Sequence, residues 1–212
     1  MKKENIIFLS CILVVIITCI ILALVIGDGK KKPNKSVFDD EKTILLAGKH
    51  YVTITVKDYG KIKLELDADV APITVTNFMD LVNKGFYDGL TFHRVQSGFM
   101  IQGGGYDING ERKVSTAIKG EFSNNGVYNT ISHTRGVISM ARATSNDSAS
   151  TEFFIVHEDS TQLDGNYAAF GHVISGMDVV DKIVKKAKTI DERGTVSLEN
   201  RAVIESIKVT EK

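Results

Sequence analysis

The chain has 212 residues, 43% hydrophobic and 25% charged, with 26 basic and 26 acidic side chains. That length suits one globular domain with additions, and the composition is that of a folded protein. Zero net charge without a basic face in the sequence excludes nucleic acid as a partner on electrostatic grounds.

The first element is an unbroken apolar run, residues 6–26 (IIFLSCILVVIITCIILALVI), with no charge, Pro or Gly. It is long enough to cross a bilayer core of about 30 Å at 1.5 Å per residue. A cleaved secretory signal has a shorter apolar region and a small-residue cleavage site, and none stands near Val25-Ile26. Lipidation of Cys19 has a poor approach in Ile16-Ile17-Thr18, and a buried core helix would carry a polar stripe. The expectation is a single transmembrane helix over 6–26, uncleaved, behind a short flank of residues 1–5. Lys30, Lys31, Lys32 and Lys35 after the span favour a cytoplasmic domain. An apolar segment behind Met-Lys-Lys instead has the form of an export signal, and large domains translocate largely regardless of charge. The expectation is therefore a membrane-anchored, extracytoplasmic domain whose lysine collar can touch anionic lipid. Both cysteines, Cys11 and Cys19, fall in this span, so the rest of the chain has no disulfide, thiol nucleophile or cysteine metal ligand.

Residues 27–48 read as a polar linker, with Thr43–Ala47 either a first strand or a loop. The folded domain, 49–212, opens with alternation. Val52, Ile54 and Val56 lie on one face; after Asp58-Tyr59-Gly60, Ile62, Leu64 and Leu66 alternate with Lys61, Lys63 and Glu65, which predicts a hairpin. APITVTNFMDLVNKG then changes period, placing Val75, Phe78, Met79 and Val82 on one stripe of a helix between Pro72 and Gly85. Short apolar runs follow at 91–95, 99–102, 136–141, 153–157 and 168–174. A second helix, GMDVVDKIVKK, aligns Met177, Val180, Ile183 and Val184; in the closing AVIESIKVTE, Val203, Ile207 and Val209 share a face. Many short strands with two helices predict a mainly β fold, a closed barrel whose open ends the helices cover.

Ordinary bond-breaking apparatus is missing. Gly103-Gly104-Gly105 is followed by neither Lys-Ser/Thr nor a helix start, so it reads as strand-end backbone with unusual torsions and not as a phosphate loop. The five histidines are scattered without ligand spacing, so no metal is expected. Ser139 lacks the G-x-S-x-G setting of a nucleophile. What remains is Arg94 among aromatic and sulfur side chains in FHRVQSGFMIQGGG, with no carboxylate in that stretch to pair it. Such a site fits a reaction that breaks no covalent bond.

FHRVQSGFMIQGGG, then GVISMARA, then STEFFIVHEDSTQLDGNYAAFGHVISGMDVVDKI, resembles the cyclophilin-type peptidyl-prolyl cis-trans isomerases, in order from about His50 to Lys212. The resemblance implies an eight-stranded antiparallel barrel capped by two α-helices, no cofactor, a monomeric domain, and proline-containing polypeptide segments as partners. It implies that Arg94 is the catalytic arginine, His93 its neighbour on the groove, and Gln102 a hydrogen-bonding residue of the same set. Phe99, Met100, Phe154 and Leu163 match the walls of a proline pocket, although each is also a residue that an ordinary core would take. Ala141, Arg142 and Ala143 match a strand that binds peptide backbone, and Tyr167 falls where some members have histidine. The chain departs from the pattern three times. Gln162 stands where tryptophan is frequent, which implies weak cyclosporin sensitivity; Arg142 stands for asparagine, and Glu152 for glutamine. Two departures of opposite charge in one site suggest a Glu152–Arg142 pair. The same barrel without catalysis, as a module that only binds proline segments, is the alternative function.

Overall fold

The alternation that opens the domain becomes a hairpin. β1 (Lys49–Val56) buries Val52, Ile54 and Val56 and pairs antiparallel with β2 (Gly60–Asp67), which buries Ile62, Leu64 and Leu66. A computed structural model describes residues 44–212. The expected transmembrane segment 6–26 and most of the expected linker lie outside the described residues. Residues 44–47 form no strand. Leu46 nonetheless packs against the core, and its N–H donates to Thr76 Oγ1 at 2.9 Å.

Six further strands complete the sheet: β3 (Leu90–Gln96), β4 (Met100–Asp107), β5 (Val137–Met140), β6 (Phe153–Val156), β7 (Ala169–Ser175) and β8 (Ala202–Val209). They close as an antiparallel barrel in the order β1-β2-β7-β5-β6-β4-β3-β8, with β8 returning to β1. β5 and β6 are buried at every position, as strands covered on both faces must be.

Two helices complete the fold. α1 (Pro72–Asn83) buries the whole predicted stripe and lies against β2 and β8. Its Phe78 sits among Tyr87, Phe153 and Phe170, with ring centroids 5.2, 5.6 and 5.3 Å away, and burying each such ring contributes roughly 1.5–3 kcal/mol. α2 (Met177–Lys186) buries Val180 and Ile183 as expected and adds Val179, while Met177 and Val184 pack at the margin of the core. Among the described residues no helix is long and apolar enough to cross a membrane.

The face predicted for β8 is corrected. Ala202, Ile204 and Ile207 are buried, Val203 is only half-buried, and Val209 is 50% exposed. The pairing with β1 slips between Thr55↔Ser206 and Val56↔Ile204, so Glu205 is an extra residue on β8. One extra residue reverses the inward parity of everything beyond it.

Candidate active site

A second irregularity of this kind sets the site. On β3, Phe92 is opposite Gly103 and Arg94 is opposite Gln102, which leaves His93 as an inserted residue. On an unbroken strand Phe92 and Arg94 would share a face. The bulge lets Phe92 enter the core, at 1% exposure, while His93 and Arg94 both turn outward with Gln102. This is how an arginine is carried on so apolar a stretch.

The glycines after it make room. Only Gly104 has the positive φ (83°) expected of the run, and all three lie inside β4, not at its end. The other two are needed for close approach. A Cβ on Gly103 would lie 2.9 Å from the Phe92 ring, and one on Gly105 would lie 2.5 Å from Glu152 Cγ.

The Arg94 guanidinium is held by neutral acceptors. Nε donates to the carbonyl of Arg193 at 2.7 Å, Nη1 to Gln102 Oε1 at 3.1 Å, and Nη2 to Gln96 Oε1. No carboxylate lies within 4 Å of it among the described residues. Burial pushes its pKa down, with Tyr167 and Asp191 acting the other way, and a guanidinium stays charged at any working pH. The segment that supplies the Arg193 carbonyl runs along β3: Val95 N–H donates to Gly194 O at 2.8 Å and Val196 N–H to His93 O at 2.9 Å. Asp191 shapes it by accepting from the Thr195 N–H and hydroxyl at 2.9 and 2.8 Å. Gly194, with φ 84°, admits the close contact with Val95 that a side chain would block. Sequence reading missed Gln96 and this segment. Gln96 was within reach, since i and i+2 share a strand face; the segment around Arg193 docks through backbone contacts, which leave no mark in the sequence.

Beside the guanidinium lies a cavity of about 180 Å³, lined by Arg94, Phe99, Met100, Gln102, Ala141, Arg142, Phe154, Leu163 and Tyr167. Nine of the twelve predicted site residues thus meet around one cavity. Phe99 and the Phe154–Tyr167 pair, edge to face at 5.8 Å, form its aromatic walls, and the Arg94 guanidinium lies 6.0 Å from the Phe99 ring centroid. A second cavity of about 180 Å³ adjoins it through Gln102, Ala141 and Arg142, and takes in Ala143 and Glu152. His93 lines neither. Its ring packs on Tyr106 at 4.7 Å, its Nε2 faces Glu152 Oε2 at 3.3 Å, and its Nδ1 is buried without a partner among the described residues. Gln162 is exposed on a 3-10 turn and lines neither cavity.

The expected Glu152–Arg142 pair does not form. Arg142 lies over Tyr167 and Phe122, 5.0 and 5.2 Å from the ring centroids, and donates to the carbonyls of Asn166, Ala143 and Thr144. Two aromatic faces and three carbonyls satisfy a planar cation without a carboxylate. Glu152 turns the other way, accepting from Gln102 Nε2 at 2.8 Å, with Arg112 Nη2 3.8 Å from its second oxygen.

A larger surface depression, about 980 Å³, lies elsewhere, among Lys57, Lys185, Lys186, Lys188 and Arg201. A zero net charge conceals this local excess of cations. Its lining has no aromatic side chain apart from Tyr59, so the smaller, aromatic-walled cavity beside Arg94 is the better candidate.

Behind Phe154 stands a buried polar set. His133, 1% exposed, stacks on the Phe154 ring at 6.0 Å and links Asp164 Oδ1 (2.7 Å, through Nδ1) to Ser139 Oγ (3.0 Å, through Nε2). Ser139 is wholly buried and His133 nearly so, so this serine and histidine brace the wall without access to substrate, while Asp164 holds the histidine from the surface. Burial pushes the His133 pKa below 6.5, against the pull of Asp164. For Asp164, burial acts upward, but Ser132 and His133 outweigh it and leave the carboxyl below 3.8. In both cases the unfolded chain binds the proton more readily. Stability is therefore complete above about pH 6.5 and is lost first as pH falls through the unfolded histidine value, then again near that of the aspartate. Unfolding free energies from urea titration are expected to fall between pH 7.5 and 5.5 in the wild type, by at most about 1.4 kcal/mol per pH unit from this group. The fall should be much flatter in His133→Gln. Equal slopes in the two proteins would assign the acid lability to other groups.

Comparison with known proteins fits this geometry. A sequence model of the cyclophilin-type peptidyl-prolyl cis-trans isomerases matches residues 51–209, well over half of the chain. The chain is 46% identical over 129 residues to peptidyl-prolyl cis-trans isomerase A of Dickeya dadantii (strain 3937), covering 58% of this chain and 66% of that protein, just under two thirds of its length. It is 39% identical over 163 residues to peptidyl-prolyl cis-trans isomerase B of Escherichia coli (strain K12), covering 73% and 96%. Among solved structures, a Cryptosporidium parvum cyclophilin-type isomerase aligns with a TM-score of 0.64 at 26% identity, over 78% of this chain and 99% of that one. A crystal structure of the same parasite protein in the presence of the dipeptide Ala-Pro aligns with a TM-score of 0.62 at 27% identity, over 76% and 99%.

Proposed function

The chain belongs to the cyclophilin-type peptidyl-prolyl cis-trans isomerases, and we propose that it accelerates rotation about X-Pro bonds in unfolded or flexible segments, with Arg94 as the central donor. An X-Pro amide turns over a barrier of roughly 18–20 kcal/mol because rotation breaks its resonance. The cavity beside Arg94 takes the proline ring against Phe99, Met100, Phe154 and Leu163. As the amide twists, its nitrogen becomes pyramidal and exposes a lone pair that neither planar isomer presents. A cation aimed at that position binds the transition state better than either ground state.

The observation that carries this reading is the donor count. A guanidinium has five N–H groups. Three are committed to Arg193 O, Gln102 and Gln96, which fix the plane, and one on each Nη has no partner among the described residues. Because the three acceptors are neutral, the charge is positioned without being paired. The test is cis-trans exchange of a short X-Pro peptide by NMR with the full chain in detergent. Acceleration supports the isomerase; binding of the peptide at unchanged exchange would turn the reading to a module that only binds.

The surroundings are part of the same proposal. Residues 6–26 serve as a single-pass anchor, the domain works as a monomer on the extracytoplasmic side, and its clients are exported chains with slow X-Pro bonds. Support comes from the length and apolarity of the segment behind Lys2-Lys3. Protease added to intact cells should digest the domain, and protection would place it in the cytoplasm.

A further inference from the structure

We infer that Glu152 is a positioning residue: its carboxylate fixes the polarity of the Gln102 side-chain amide, and through that amide the hold on Arg94. The inference rests on the isomerase reading only for its kinetic consequence.

Gln102 stands between two groups of single character. On one side Arg94 Nη1 can only donate, and on the other an ionised Glu152 can only accept. The carboxamide satisfies both in one orientation, with Oε1 towards Arg94 at 3.1 Å and Nε2 towards Glu152 at 2.8 Å. Flipped, it would set N–H against N–H on one side and oxygen against oxygen on the other. Without an acceptor at position 152 only the Arg94 side would favour the working orientation.

Glu152 is itself built in. Its side chain is 19% exposed, and its Cγ and Cδ lie where a side chain on residue 105 would collide, so Gly105 makes space for it. The groups facing it are His93 from β3, Gln102 from β4, and Arg112, with Arg142 across the second cavity. Burial acts to raise its pKa, but His93, Gln102 and Arg112 prevail and keep it below the ordinary value of 4.5, an acceptor at neutral pH.

The test compares Glu152→Met, of similar length but without an acceptor, with Glu152→Gln, which keeps one. In the full chain, NMR of the Gln102 carboxamide and the Arg94 guanidinium N–H groups should show both displaced in Glu152→Met and close to wild type in Glu152→Gln. On the X-Pro peptide, Glu152→Met should lose roughly tenfold in kcat, as expected for a displaced catalytic group, with KM held within about twofold. Glu152→Gln should recover most of the loss. In a Gln102→Ala background, Glu152→Met should add little further loss, because its effect passes through that amide. Unmoved Gln102 and Arg94 signals in Glu152→Met would overturn the inference, as would a full further loss in the Gln102→Ala background. Failure of the isomerase reading would look different: a wild type without acceleration, the spectroscopic comparison still deciding the role of Glu152.

Discussion

Arg94→Ala is expected to lower kcat/KM for a short X-Pro peptide by roughly 100- to 1,000-fold, about 3–4 kcal/mol of transition-state stabilisation, with little change in peptide binding. The split follows from the geometry. The apolar walls proposed to grip proline, Phe99, Met100, Phe154 and Leu163, pack together without the guanidinium, so the planar substrate should still be held. What disappears is the donor for the twisted amide. Arg94→Lys should recover little of the loss. An ammonium has no planar fork with which to reach Arg193 O, Gln96 and Gln102 together while keeping two donors free. A variant that lost binding and rate in equal measure would make Arg94 a wall of the cavity and not its catalytic group. Retained rate in a folded Arg94→Ala protein would remove it from the mechanism altogether.

The largest expected effect on stability is far from the cavity, at Glu121. α1 begins at Pro72, which has no N–H, and Ala71 before it offers no side-chain cap. The next two donors, Ile73 N–H and Thr74 N–H, both go to Glu121, at 3.0 Å on Oε1 and 2.7 Å on Oε2. The carboxylate is 2% exposed and has no cation within 4 Å among the described residues, so the helix N-terminus supplies its compensation. Glu121→Ala strands one buried and one partly buried N–H group at the start of the helix that carries Phe78. The expected cost is about 2–4 kcal/mol, or a melting temperature lowered by roughly 5–15 °C for a chain of this size. Glu121→Gln keeps one acceptor and should lose less. An alanine variant within 1 kcal/mol of wild type would mean that water takes over the cap.

The two kinds of knowledge divided along a physical line. Alternation in β1 and β2 and the stripe of α1 were legible because each depends on local period alone, and Val52, Ile54, Val56, Val75 and Phe78 are buried as their spacing predicts. Nine site residues around one cavity were legible because three motifs carried the resemblance, each with its own spacing. Errors arose wherever one inserted residue or one distant partner decided the outcome. Glu205 reverses the parity of β8, and His93 does the same on β3, and neither leaves a mark in the hydrophobic pattern. Glu121 caps a helix about fifty positions earlier in the chain. The supposed Glu152–Arg142 pair treated opposite charge as sufficient, yet Arg142 found Tyr167 and Phe122, and Glu152 found Gln102. Charge in a sequence says which partners are permitted; packing determines which one is nearest.

The order of the strands around the barrel has a bearing on the company such a protein keeps. An enzyme that handles unfinished chains works among extended, sticky segments, each in search of a backbone with spare N–H and C=O groups. A sheet with a free margin would offer them one and would be drawn into their aggregates. Here every strand has a neighbour on both sides, and the ladder runs from β1 round to β8 and back. On the proposed function, a client would be engaged at the cavities beside Arg94 and Arg142 and not along a strand edge.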